Sequence, residues 1–278
     1  LLLMVPAAIA LRGNIFGALG SRLGTAIHAG TFRLSMRSSS VVGENVLASL
    51  VLTLATSVAL AVLAKGAAVV FGVAGSIALA NFIVISVVGG LLASVAVLVT
   101  ALGLTSGSVR FGWDPDNVTA PLVTAVGDVA TVPALVLASA LVGKQWPVLA
   151  VTAIAVAAIP VAVFAVLHAG RPGLKTILRE SMPVLMIGIL LDLVAGVTVE
   201  RQLDSFTLFP ALLVMLPAFL AVAGALGGTL SSRLASQLHL GTISPNRVPE
   251  ARARADILAS VGLAFPVFAT CGLLTHAF

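Results

Sequence analysis

The chain has 278 residues, of which 59% are hydrophobic and only 9% charged, with a formal net charge of +5. An ordinary soluble domain is about 45–50% apolar and about 25% charged, so the composition excludes one and describes an integral membrane protein. The basic residues sit in short segments between apolar runs, which makes membrane lipids with anionic headgroups, and not nucleic acid, the expected partner.

Uncharged runs cover 45–64, 66–109, 145–167, 205–232 and 257–275. A bilayer-spanning helix needs about 20 apolar residues, so the 66–109 run is expected to hold two helices. Strand-like alternation is absent and Ala, Leu, Val and Gly dominate, which gives an all-α polytopic membrane protein and excludes an outer-membrane barrel. The single cysteine, Cys271, excludes an intrachain disulfide. No metal-hydrolase or nucleophile motif occurs, so the chain does not read as an enzyme. It opens on Leu1-Leu2-Leu3 with neither an initiator Met nor a basic n-region, so further residues are expected before it.

The first segment, 6–32, is apolar but carries Arg12, Asn14, Arg22 and His28. Asn14, Ser21, Thr25 and His28 fall at intervals 0, 7, 11 and 14, one stripe of a helix. Such a stripe faces protein or water and suits a polar helix–helix interface as well as a pore lining. Spans near 45–64 and 78–103 follow, the second with Gly89-Gly90 as a close-packing or kink point. Arg110 to Trp113 is a polar return to the interface.

The next stretch, Asp114 to Asp128, holds three of the ten carboxylates. Asp128 lies inside an otherwise uncharged run over 117–143. A charge in hydrocarbon costs several kcal/mol and by default marks an ion path or a buried partner. Asn117, Thr124, Asp128 and Thr131 repeat the 0, 7, 11, 14 spacing of the first segment. Pro121 removes the amide that would bond the Asn117 carbonyl, which leaves that oxygen able to face a cation.

A span at 147–167 has no ionisable group and reads as scaffold. A basic loop follows, and then a span at 181–199 containing Asp192. Asp192 lies within two turns of the polar Glu200 to Asp204 turn and reads mainly as interfacial, with a second ion ligand as the alternative. The run 205–232 comes next.

Pro217-Ala218 … Ser232-Arg233-Leu234, His239, Gly241 and Thr242 restate Pro6-Ala7 … Ser21-Arg22-Leu23, His28, Gly30 and Thr31 at a constant offset of 211. A gapless match of this kind argues duplication. With spans alternating in direction, loops 33–44, 104–116, 169–180 and 244–256 share one side. They carry Arg33, Arg37, Arg110, Arg171, Lys175, Arg179, Arg247, Arg252 and Arg254, against Lys65, Lys144 and Arg201 on the other. The positive-inside rule makes the first side cytoplasmic. Equivalent loops then lie on one side, so the halves are parallel, and the 147–167 span returns the chain between them. The expectation is a pseudo-dimer about an axis along the membrane normal.

The stretch Asp114-Pro115 … Pro121-Leu122-Val123-Thr124 … Asp128 resembles the last helix of the MgtE magnesium transporters and channels. Asp116-Asn117 and Arg12-Gly13-Asn14 … Ser21-Arg22-Leu23 look closer to their tandem-repeat relatives, solute carrier family 41. The resemblance implies five-helix units, two of them around a central pore selective for Mg²⁺ with some passage of other divalent cations, and Asp128 lining the ion site. By that alignment Asp114 sits at the cytoplasmic mouth. Three departures stand out. The second Gly-Asn is Gly224-Ala225, no cytoplasmic regulatory domain is recognisable, and a counterpart of Asp128 would fall near 339, past Phe278. Either the second unit is truncated or a partner chain, as in a homodimer, completes the pore.

The expected organisation is thus a first MgtE-type unit at 1–143 with its N-terminal helix incomplete, a connecting helix and basic loop at 144–180, and a second unit at 181–278 lacking its C-terminal part. Mg²⁺ parts with its waters reluctantly. A carboxylate for charge and neutral oxygens for the waters therefore suffice: Asp128 for the first, Asn117 and Thr124 for the second, with Asp114 and Asp116 concentrating divalent cations at the mouth. Cys271 is alone and the histidines are dispersed, so no soft set for zinc or copper is visible. The setting is a multi-pass plasma-membrane protein with its basic loops cytoplasmic. A Na⁺-coupled Mg²⁺ exchanger, a broader divalent carrier, and a non-transporting scaffold with its Asp residues paired to Arg12, Arg22 or Arg233 are the alternatives.

Overall fold

Backbone groups in a bilayer must be satisfied within their own segment, and in the computed structural model every described element beyond one 3-10 turn (Leu2–Met4) is an α-helix. The structure describes residues 2–35, 37, 40–73, 75–168, 170–202, 210–246 and 248–276. The helices are α1 (Val5–His28), α2 (Val41–Val70), α3 (Leu79–Phe111), α4 (Pro115–Ser139), α5 (Gln145–His168), α6 (Pro172–Arg201), α7 (Pro210–His239) and α8 (Ala251–His276). Six of them, α2 to α6 and α8, are long and apolar enough to cross a membrane.

The helices outrun the uncharged sequence. α2 includes Glu44 and Lys65, α3 includes Arg110, and α6 begins before Lys175 and Arg179. Many of the basic residues expected in loops are therefore on helix ends, where long aliphatic stems let the charge reach the interface without ending the helix. The 66–109 run holds nearly all of α3 and the last turn of α2, not two helices. Gly72 and Gly75 adopt left-handed φ of 65° and 69° there, a conformation that glycine reaches without steric cost and that ends a helix.

The fold is built around α1, which packs against α2, α3, α4, α6 and α7. Its Leu11, Ile15, Phe16, Leu19 and Leu23 are fully buried against Leu52 and Leu60 of α2, Ile85 of α3, Leu135 of α4 and Ile189 of α6. A helix with two arginines, an asparagine and a histidine is thereby surrounded by more apolar ones. Gly89-Gly90 makes the close approach possible. A Cβ on Gly89 would stand 2.8 Å from Leu135 of α4, and one on Gly90 would collide with the Arg12 guanidinium of α1.

Among the described residues α5 packs on α2, α3 and α6, and it turns Trp146, Ile154, Val161 and Phe164 outward. α8 packs on α7, where Arg233 pairs with Asp256 at 2.9 Å and the Gln237 amide donates to the same carboxylate at 2.6 Å. Contacts sort the helix termini into two ends. His28, Asp114 and Asp116 meet at one, and the Glu44 carboxylate lies against Gly173 there. At the other, Lys65 donates to Ser76, and Arg201 lies over the Phe71 ring at 5.3 Å.

Candidate functional site

α4 starts on a self-made cap. The Asp114 carboxylate accepts the backbone amide of Asp116 at 3.0 Å and the side-chain amide of Asn117 at 2.8 Å, which satisfies helix-start donors. Pro115 occupies the first turn, where its missing amide costs nothing. The helix then runs through Pro121 and Pro133 to Ser139. Asn117 is exposed at the helix start beside Asp114 and does not line the cavity that Asp128 faces.

That cavity, of about 640 Å³, lies between α1, α4, α6 and α7. Asp128 and Thr124 enter it from α4, Asn14 and Ser21 from α1, Asp192 from α6 and Ser232 from α7. Two carboxylates inside hydrophobic spans thus converge, although they lie on different helices 64 residues apart in sequence. The polar positions are separated by glycine and alanine: Gly13 and Gly17 on one wall, Gly224 and Gly228 on the other. Thr124 is buried, and its hydroxyl donates to the Ala120 carbonyl at 3.0 Å, which orients its oxygen lone pairs.

The arginines that could have neutralised these carboxylates are engaged elsewhere. Arg12 is fully buried on the far side of α1, where one guanidinium nitrogen donates to Ser57 at 3.1 Å. Arg22 donates to Ser181 at 2.9 Å, and Arg233 pairs with Asp256. Among the described residues, Asp128 and Asp192 have no ion-pair partner.

Asp116, by contrast, is buried and held from across the molecule. Ser232 and Ser236 of α7 both donate to its Oδ1, at 2.7 and 3.2 Å. Its Oδ2 lies 3.3 Å from the His28 ring, and Asp114 lies 3.7 Å from the same nitrogen. A second cavity, of about 510 Å³ and lined by His28, Asp114 and Trp113, opens beside this trio.

Thr25 and Ser236, which are equivalent at the offset of 211, touch each other at 3.3 Å. Equivalent glycines flank Thr124 as well. Its methyl would lie 3.2 Å from a Cβ on Gly13 and 3.5 Å from one on Gly224.

Of the five residues singled out from sequence, Asp128 and Thr124 share the interior cavity, while Asp114, Asp116 and Asn117 gather at the start of α4. Sequence reading placed Asp192 mainly at the interface and the histidines apart. The fold brings Asp192 to the cavity and His28 to two carboxylates. The cavity-facing pattern on α7, small or hydroxyl residues at 224, 228 and 232, was the available signal for that wall.

Residues 5–138 match the family model of the MgtE divalent cation transporters. The chain is 26% identical over 258 residues to solute carrier family 41 member 2 of Mus musculus and of Gallus gallus, covering 89% of this chain and 44% of each relative. It is 24% identical to solute carrier family 41 member 3 of Rattus norvegicus, over 86% of this chain and 52% of that protein. The chain thus spans about half the length of the curated relatives it matches. No solved structure matches it. The resemblance read from the two motifs is borne out.

Proposed function

With an MgtE-type unit at residues 5–138 as the premise, we propose that the protein carries divalent cations, Mg²⁺ foremost, through the cavity between α1, α4, α6 and α7. The observation that carries this reading is the convergence of two intramembrane carboxylates, Asp128 and Asp192, with no ion-pair partner among the described residues, on one cavity lined largely by glycine, alanine and serine.

Mg²⁺ keeps most of its waters. At about 30 Å³ per water, six of them need about 180 Å³, well inside the cavity of about 640 Å³. The site therefore works on the hydrated ion. Asp128 and Asp192 supply negative charge, and Asn14, Thr124, Ser21 and Ser232 supply oxygens for the ion's waters. Asp114 and Asp116 raise the cation concentration at the mouth, with Asn117 fixing the Asp114 carboxylate. Purified protein in liposomes loaded with a Mg²⁺ indicator should admit Mg²⁺ down its gradient. Vesicles that stay as tight as protein-free ones would contradict the reading.

The same reading treats the chain as parallel units, 1–143 and 181–278, joined by 144–180. The Thr25–Ser236 contact supports it, because equivalent positions near the same ends of α1 and α7 meet there, as they do beside a two-fold axis. Gly13 and Gly17 opposite Gly224 and Gly228 support it too. A second copy of the chain would make a homodimer of such pairs. The end bearing His28 and Asp114 carries Arg33, Arg37, Arg110, Arg171, Lys175, Arg179, Arg252 and Arg254, against Lys65, Lys144 and Arg201 at the other. That bias supports a cytoplasmic first end by the positive-inside rule, in the setting of a plasma-membrane protein that this reading adopts. Cysteines placed at Thr176 and Ser244 should react with an impermeant thiol reagent only from the cytoplasm, and one at Gln145 only from outside. Thr176 and Ser244 reacting from opposite faces would replace the parallel arrangement with an inverted one.

A further inference from the structure

The geometry points to a second metal site of different chemistry at the mouth. His28, Asp114 and Asp116 together form a site for one transition-metal ion of the Mn²⁺, Co²⁺, Ni²⁺ and Zn²⁺ class. Asp114 and Asp116 also serve the mouth of the Mg²⁺ pathway, but none of the three ligands lines the interior cavity, so the site does not depend on Asp128 or Asp192.

Among the described residues, these three are the one group of His, Cys, Asp or Glu whose donor atoms all lie within 4.8 Å of one another. An ion held about 2.0–2.2 Å from each donor brings neighbouring donors to about 3.0–3.6 Å. His28 Nε2 stands 3.3 Å from Asp116 and 3.7 Å from Asp114, close to that spacing.

The ligands are also oriented before any ion arrives. Ser232 and Ser236 hold the Asp116 Oδ1, which leaves Oδ2 turned to the histidine. The Asp116 amide and the Asn117 side chain hold Asp114. Hydroxyl and amide donors behind ligating carboxylates fix their direction and commonly matter tenfold or more to affinity, as an order of magnitude about 10–100-fold. The cavity of about 510 Å³ that His28 and Asp114 line gives an ion and its remaining waters an entrance.

The imidazole decides which ion. Mg²⁺ is a hard cation satisfied by oxygen, whereas a nitrogen donor favours the later first-row metals in the order Mn²⁺ < Co²⁺ < Ni²⁺. Two carboxylates and one neutral imidazole suit that class and also neutralise its charge.

The test is direct binding of Co²⁺ to the purified protein in detergent with millimolar Mg²⁺ present, followed by equilibrium dialysis and by the visible bands of ligated Co²⁺. The wild type should retain one Co²⁺ per chain. His28→Gln, a change at an exposed residue, should weaken retention by at least about tenfold. Asp128→Asn and His168→Gln should leave it unchanged. Wild-type retention by His28→Gln, displacement of Co²⁺ by an equal concentration of Mg²⁺, or loss of the ion in Asp128→Asn would each overturn the site, the first leaving the trio as an ion pair only. Absence of Mg²⁺ flux in liposomes would count against the pathway alone, because Co²⁺ retention does not require transport.

Discussion

Asp128→Asn should abolish Mg²⁺ uptake, both in proteoliposomes and in a host that lacks its own importers, while the protein is still made and inserted. The substitution keeps the shape of the side chain and removes its charge. Two unit charges about 4 Å apart attract by about 4 kcal/mol at an effective dielectric constant of 20, and a divalent ion feels more. Even after allowance for intervening water, losing about 3 kcal/mol lowers the rate by about 100-fold or more. Asp192→Asn, on the opposite wall of the same cavity, should lower flux as well, by at least about tenfold on the same scale. Rescue of growth by Asp128→Asn at wild-type level would remove this residue from the ion path.

The second large effect is on folding. Gly90→Leu should leave little monodisperse protein in size-exclusion chromatography. Even the first added carbon would collide with the Arg12 guanidinium and lie 2.7 Å from the Ser57 hydroxyl, and Arg12 has no exposed surface through which to retreat. Overpacking a dense core costs about 1–3 kcal/mol or more, and losing a hydrogen bond to a charged group adds about 1.5–3 kcal/mol. Gly103→Leu on the same helix is the control, because a Cβ there meets nothing within 4 Å. A wild-type elution profile for Gly90→Leu would mean that α1, α2 and α3 do not meet as described.

Periodicity and isolation made much of this legible in the chain itself. A lone carboxylate in an uncharged run pointed to Asp128, and the offset of 211 linked two helices that do meet, at Thr25 and Ser236. Convergence between distant segments left no such mark. Asp192 and Asp128 share a cavity because α6 packs against α1. His28 reaches Asp116 because the end of α1 lies beside the start of α4, 88 residues later. The break near Gly72 and Gly75 falls between the spans read near 45–64 and 78–103, and two left-handed glycines end the helix there.

If ions pass between α1, α4, α6 and α7, chemical block of that space must stop them. Gly224 lies on the α7 wall, and a Cβ there would stand 3.5 Å from the Thr124 methyl, an ordinary contact. A cysteine at this position should therefore be accommodated. In a Cys271→Ser background, Gly224→Cys should carry Mg²⁺ until a cationic thiol reagent is added, lose flux on modification, and react more slowly when Mg²⁺ is present. Ile154→Cys on the outward face of α5 should keep its flux after the same treatment. Undiminished flux through fully modified Gly224→Cys would contradict the account.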